Sequence, residues 1–117
     1  MKQKYFSGLK RYVATVGTAE IPAYIKLLFL QKLVNADYEK DYLQVIEIKQ
    51  EENQKIKVTI KQEEVNETIK ENKIIFDLQL PSLEFYKAFD NIKKLYLIED
   101  EEYQGMTIQT LLLPEEY

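Results

Sequence analysis

A chain of 117 residues, 45% of them hydrophobic and 31% charged, has enough apolar surface for one core, so whole-chain disorder is excluded and neither disulfide nor metal is needed for folding. It contains no cysteine and no histidine, which removes disulfides, thiolate nucleophiles, Cys-based zinc sites and the commonest general base near neutral pH. The net charge of −4 is uneven: residues 1–40 carry seven Lys/Arg against three Asp/Glu, and residues 41–117 carry nine against seventeen, so the larger part is a poor partner for nucleic acid.

The opening MKQKYFSGLK lacks the apolar stretch of a signal peptide, and no later apolar run is long enough to cross a bilayer. The expectation is a cytoplasmic protein with no membrane partner. The segment Tyr12–Val16 is dominated by β-branched and aromatic residues and predicts a strand, with Gly17 turning the chain. Pro22 suits the first turn of a helix, which runs to about Val34. Tyr24, Leu27, Leu28 and Val34 recur at helical spacing, with Ile25 and Leu30 widening the stripe, so Leu27 and Leu28 are expected in the core.

After a polar loop at Asn35–Asp41, Tyr42–Lys49 predicts a strand, Glu51–Asn53 a turn, and Lys55–Lys61 a second strand antiparallel to the first. In that second strand Ile56, Val58 and Ile60 alternate with charged or polar residues and face inward. Residues 63–73 are polar and read as a loop or a short helix. Ile74–Leu80 alternates as another half-buried strand, ended by Pro81. Ser82 can cap a short helix that presents Phe85, Phe89 and Ile92. Lys94–Ile98 is a strand, Glu99–Gly105 an acidic loop, and Met106–Leu113 a last strand closed by Pro114. With no linker and no repeat, residues 1–117 form a single α+β domain, a mainly antiparallel sheet of five to six strands with one long and one short helix, in the order β-α-β-β-β-α-β-β.

Five strings in this order resemble domain-of-unknown-function family 960, small proteins of staphylococci and other Firmicutes, some carried on mobile elements. They are Arg11-Tyr12-Val13 with Gly17, Ile21-Pro22 with Leu27-Leu28, Asp41–Val45, Leu95–Asp100, and the ending Leu111-Leu112-Leu113-Pro114-Glu115-Glu116-Tyr117. The sequence departs from the family at Ile98-Glu99-Asp100-Glu101, where an Ile-Asp-Asp-Gly-like turn is usual, and at Gln62-Glu63, which no histidine precedes. The resemblance implies a cytosolic protein and supplies no activity.

Chemistry-bearing groups are few. The run Glu99-Asp100-Glu101-Glu102 has the oxygen ligands of a Mg²⁺ or Ca²⁺ site but no EF-hand spacing, and it reads instead as a solvated loop. Glu47 is the best single carboxylate for an acid–base pair, yet strand period places it on the outward side of the pleat. Ser7 and Ser82 lie in no nucleophile elbow, and Gly8, Gly17 and Gly105 are too scattered to cradle a phosphate. Tyr42 and Tyr96 could stack bases, but acids surround them. The expectation is no catalytic residue, no metal and no cofactor.

The remaining reading is a non-enzymatic protein-binding module, a homodimer or the partner of another protein. Its expected contact is the last strand with its tail, through Met106, Ile108, Leu111, Leu112, Leu113 and Tyr117. Three consecutive leucines leave neither face of that strand polar, and a final strand often falls on a sheet edge. A carboxylate-dependent hydrolase is the alternative, and a nucleic-acid binder the third reading.

Overall fold

The structure, a computed structural model, describes residues 4–62, 72–103 and 105–117, with the backbone alone for Glu102 and Tyr103. Six strands form one sheet: β1 (Arg11–Ala14), β2 (Leu43–Glu51), β3 (Lys55–Gln62), β4 (Lys73–Gln79), β5 (Lys94–Tyr103) and β6 (Met106–Leu112). Two helices, α1 (Ala23–Val34) and α2 (Leu83–Lys87), complete the order expected from the sequence. The spatial order is β1-β6-β5-β2-β3-β4, antiparallel throughout except for the parallel pair β1–β6.

The core follows from the pleat. Ile56, Val58 and Ile60 of β3 are fully buried, as their alternation demands. Across the ladder they meet Ile46 and Ile48 of β2 on one side and Ile74, Phe76 and Leu78 of β4 on the other. Leu95 and Leu97 of β5 and Leu111 of β6 extend the same face. Both helices pack on this face. Ile25, Phe29, Leu30 and Leu33 of α1 join the cluster, as do Phe85 and Tyr86 of α2 and the following Phe89 and Ile92. Ser82 caps α2 as expected, its hydroxyl accepting from the Phe85 N–H at 3.2 Å. The Glu52-Asn53-Gln54 turn of the β2–β3 hairpin is tight enough to hold Asn53 and Gln54 at positive φ.

Three expectations are corrected. First, α1 is rotated from its expected face. Leu27 is 42% exposed, Tyr24 is exposed and Leu28 half-buried, whereas Phe29 and Leu33 are sealed. Apolar residues ring most of this helix, so spacing alone does not select a side. The chosen stripe runs straight along i, i+4, i+8 through Ile25, Phe29 and Leu33. Second, Glu99, Asp100 and Glu101 form no loop. They belong to β5 and pair with Gln109, Ile108 and Thr107 of β6, with a bulge before Tyr103. Third, β6 is no edge. It is bonded to β5 on one side and β1 on the other, so the expected edge strand lies one place inside the sheet. Within this mainly antiparallel sheet, β1 alone runs parallel to its neighbour. The long return through the rest of the fold brings Arg11–Ala14 alongside Ile108–Leu111 in the same direction. Most of the ambiguous segment 63–73 lies outside the described residues; Lys73 already opens β4.

Candidate functional site

Only four polar or charged residues are buried among the described residues: Thr18, Gln44, Glu99 and Gln109. Two of them form a clasp. Strand parity turns Glu99 toward the helix-covered face, opposite Gln109. Its carboxylate accepts the Phe6 N–H at 3.0 Å and the Gln109 Nε2–H at 2.8 Å. The Gln109 amide also donates to the Gly8 carbonyl at 2.9 Å and accepts the Lys10 N–H at 2.9 Å. Together they tie residues 6–10 across β5 and β6 and drive Phe6, held at φ 53°, into the core with no exposed surface. A carboxylate so engaged and so enclosed is a structural anchor.

A second carboxylate fastens the other end of the sheet. Pro114 opens a 3₁₀ turn, Pro114–Glu116, that aims Glu116 back at the segment after β1. Glu116 accepts from the Thr15 hydroxyl at 2.6 Å, the Leu113 N–H at 2.9 Å and the Gly17 N–H at 3.1 Å. These donors, the Thr15 hydroxyl foremost, hold its carboxyl below the usual range. Gly17 leaves room for this tie: a Cβ there would stand 2.6 Å from both Glu116 Oε1 and Leu113 Cδ1, so those side-chain ends would have to shift.

Lys40 closes α1. Its ammonium donates to the Ala36 carbonyl at 2.6 Å and the Val34 carbonyl at 3.3 Å, where the helix exposes unpaired acceptors. Burial lowers its pKa, and Asp37 partly opposes this. At the start of β2 the Gln62 side chain accepts from the Asp41 N–H and the Gln44 amide. The buried Gln44 Oε1 has no partner among the described residues.

The other sheet face is crossed by no helix among the described residues and is partly accessible, though Leu43, Val45 and Leu112 on it are buried. Two rows of side chains run over it. Val13, Thr110, Ile98 and Leu43 align across β1, β6, β5 and β2. Leu112, Tyr96 and Val45 align beside them and meet Lys61 and Lys73 on β3 and β4. Tyr117 stands edge-on to Tyr96, ring centroids 5.7 Å apart. Toward β3 and β4 the surface becomes basic. Lys49, Lys55, Lys57, Lys61, Lys73 and Lys94 share this part of the face with Glu47, Glu51 and Asp77, while Arg11 and Asp100 flank Ile108 at its other end. Glu47 is bridged to Lys61 at 2.9 Å, on the outward side of the pleat as expected. A chain with net charge −4 thus gathers a cationic surface in one place.

The expected contact residues divide over this frame. Leu111 is fully buried on the core face and Leu112 is 6% exposed on the other, so the leucine run is explained by one strand with both faces apolar inside its own chain. Leu113 is half-buried against the core. Ile108 is half-buried on the open face, and Met106 and Tyr117 are exposed. The structure therefore brings Ile108, Leu112 and Tyr117 to the open face and takes Leu111 away from it. The acidic run is split by the pleat: Glu99 is buried while Asp100 and Glu101 are exposed. Among the described residues no three His, Cys, Asp or Glu side chains are grouped to hold a metal. Two shallow grooves lie on the helical side; one, of about 440 Å³, runs between Leu9 and Leu28, Gln31, Lys32, Val34 and Asn35. The lysine cluster was visible as the wet side of the alternating strand Lys55–Lys61, but its extension over three further strands depends on registers that local pattern does not carry.

In comparisons with known proteins, no family model matches the chain, no curated protein matches it, and no solved structure matches it.

Proposed function

We propose that this chain is a non-enzymatic, cytoplasmic protein-binding module, and that its uncovered sheet face is the docking surface. One observation carries the reading: both helices lie on the same side of the sheet, and the side that no helix crosses among the described residues sets half-exposed apolar side chains, around the buried Leu43, Val45 and Leu112, beside a lysine-rich field. A sheet face left open to water is normally polar throughout. Here Val13 and Tyr117 are exposed and Tyr96, Ile98 and Ile108 half-exposed, with Arg11 and Asp100 beside Ile108 and six lysines and three acids toward β3 and β4. The complementary partner is a protein segment carrying acidic side chains next to apolar ones. Interfaces favour tyrosine anchors, and opposite charge steers the encounter. Kinship with family 960 belongs to the same proposal and rests on the ordered strings up to Leu111–Tyr117.

The test is capture from nuclease-treated host lysate with the full chain and with Lys49→Glu/Lys57→Glu/Lys94→Glu, three exposed positions whose exchange leaves the core untouched. A protein retained by the wild type, lost by the triple variant and kept by a Glu84→Lys variant on the helical side supports the reading. Binding that disappears with nuclease, or that the triple variant retains in full, overturns it.

A further inference from the structure

The sheet has two edges, and they differ. β1 is four residues long, whereas β4 runs seven residues, Lys73–Gln79, without proline and in unbroken register with β3. No described strand pairs with its other side. The Leu80 N–H donates to Gln54 O at 2.9 Å, which fixes the parity of the ladder. The backbone groups of Ile74, Phe76 and Leu78 point to β3, and those of Lys73, Ile75, Asp77 and Gln79 point outward. Native sheets usually blunt such an edge. This one presents Ile75, 50% exposed, at its middle.

We propose that β4 pairs with β4 of a second copy of this chain, antiparallel about a two-fold axis at Ile75, to make a continuous twelve-stranded sheet. The sequence of the strand selects this register. A two-fold at Ile75 respects the parity, because the residues it opposes as hydrogen-bonded pairs are those whose N–H and C=O groups point outward. It sets Ile75 against Ile75 of the partner subunit and Lys73 against Asp77 of the partner subunit, twice. On the core face it sets half-buried Ile74 against Phe76 of the partner subunit, lengthening the apolar row. The register centred on Asp77 has the same parity but opposes two aspartates. Asp77 already faces Lys57 within its own chain, so the dimer places this carboxylate between two lysines. The docking face does not depend on this pairing, since monomer and dimer present it alike.

Sedimentation equilibrium of the full chain over a concentration series tests the pairing. The expected result is a reversible dimer of twice the 13.9 kDa chain mass. Ile75→Pro removes only an outward N–H, so it leaves the β3 ladder whole and abolishes the dimer while circular dichroism stays native. Lys73→Glu opposes like charges at both symmetric pairs and raises the dimer dissociation constant by roughly tenfold. Lys73→Glu/Asp77→Lys restores the pairs and recovers the association. A chain monomeric up to its solubility limit overturns the proposal, as does a dimer indifferent to Ile75→Pro. A dimer abolished by Ile75→Pro that the double exchange fails to recover overturns the register.

Discussion

Single side chains fasten this molecule where its strands alone would not. Glu99 is the clearest case. Its replacement by Ala leaves the Phe6 N–H without its acceptor and takes one of two from the Gln109 amide; each buried donor left unpaired costs about 1–3 kcal/mol. Glu99→Ala should therefore lower the urea midpoint more than Glu101→Ala, whose side chain is exposed; equal midpoints would remove the anchor. Glu116 makes a prediction with a sign in pH. Its folded pKa lies below the ordinary 4.5, so its contribution is fully present above the unfolded pKa and is lost as pH falls through the folded one. Glu116→Gln should melt lower than wild type at neutral pH, and the gap should close in acid. A gap that widened on acidification would contradict the hydrogen bonds from Thr15, Leu113 and Gly17. In the sequence both residues read only as acids in acidic runs. Nothing local distinguishes the Glu99 carboxylate, whose donors lie at positions 6 and 109, from its exposed neighbours.

At the scale of elements, local pattern was informative wherever one face is wet. The strand at Lys55–Gln62 and the cap at Ser82 are legible because alternation and capping are short-range physics. The helix Ala23–Val34 was legible as a helix but not in its rotation, since Tyr24, Leu27 and Leu28 compete with Ile25, Phe29 and Leu33 for the inside. Tertiary packing settles it. Phe29→Ala should cost about 3–5 kcal/mol, while Leu27→Ala should change stability by less than about 0.5 kcal/mol. Chemical denaturation of the two variants checks the rotation, and reversal of their order would restore the other face. β5 was half legible. Lys94–Ile98 carries a continuous apolar run, Leu95 to Ile98, whereas Glu99–Glu101 continue the strand only because β6 supplies partners and Gln109 satisfies a buried acid. Charge density suggested a loop; the ladder overrode it.

At the scale of the molecule, the sheet is closed by contacts between segments far apart in sequence, and this part was beyond local reading. The parallel β1–β6 pair joins Arg11–Ala14 to Ile108–Leu111, and nothing in either segment announces its direction. Expecting β6 at the edge followed from its place in the chain; in space β1 occupies that edge and shields it. β1 is short, and three of its four residues are exposed, so packing holds it weakly. Its other ties are the Thr15 N–H to Leu111 O at 3.0 Å, the Tyr12 hydroxyl to the Lys26 carbonyl at 2.8 Å, and the Glu116 carboxylate on Thr15 and Gly17. Stability is therefore graded, with β2 at the middle of the sheet, β3 beside it, and β1 at its loose margin. Deleting residues 114–117 removes the Glu116 tie and uncovers Tyr96, but leaves the β2–β3 hairpin and α1 as they were. Amide hydrogen exchange should then show protection falling at residues 12–18 while Ile46, Ile48, Val58 and Ile60 keep theirs. Gly17→Ala should reproduce the local loss in the full chain, because its Cβ collides with Glu116 and Leu113. An equal fall in the central strands would mean that β1 opens only with the whole fold, and that the 3₁₀ turn is part of the global core instead of a latch on its margin.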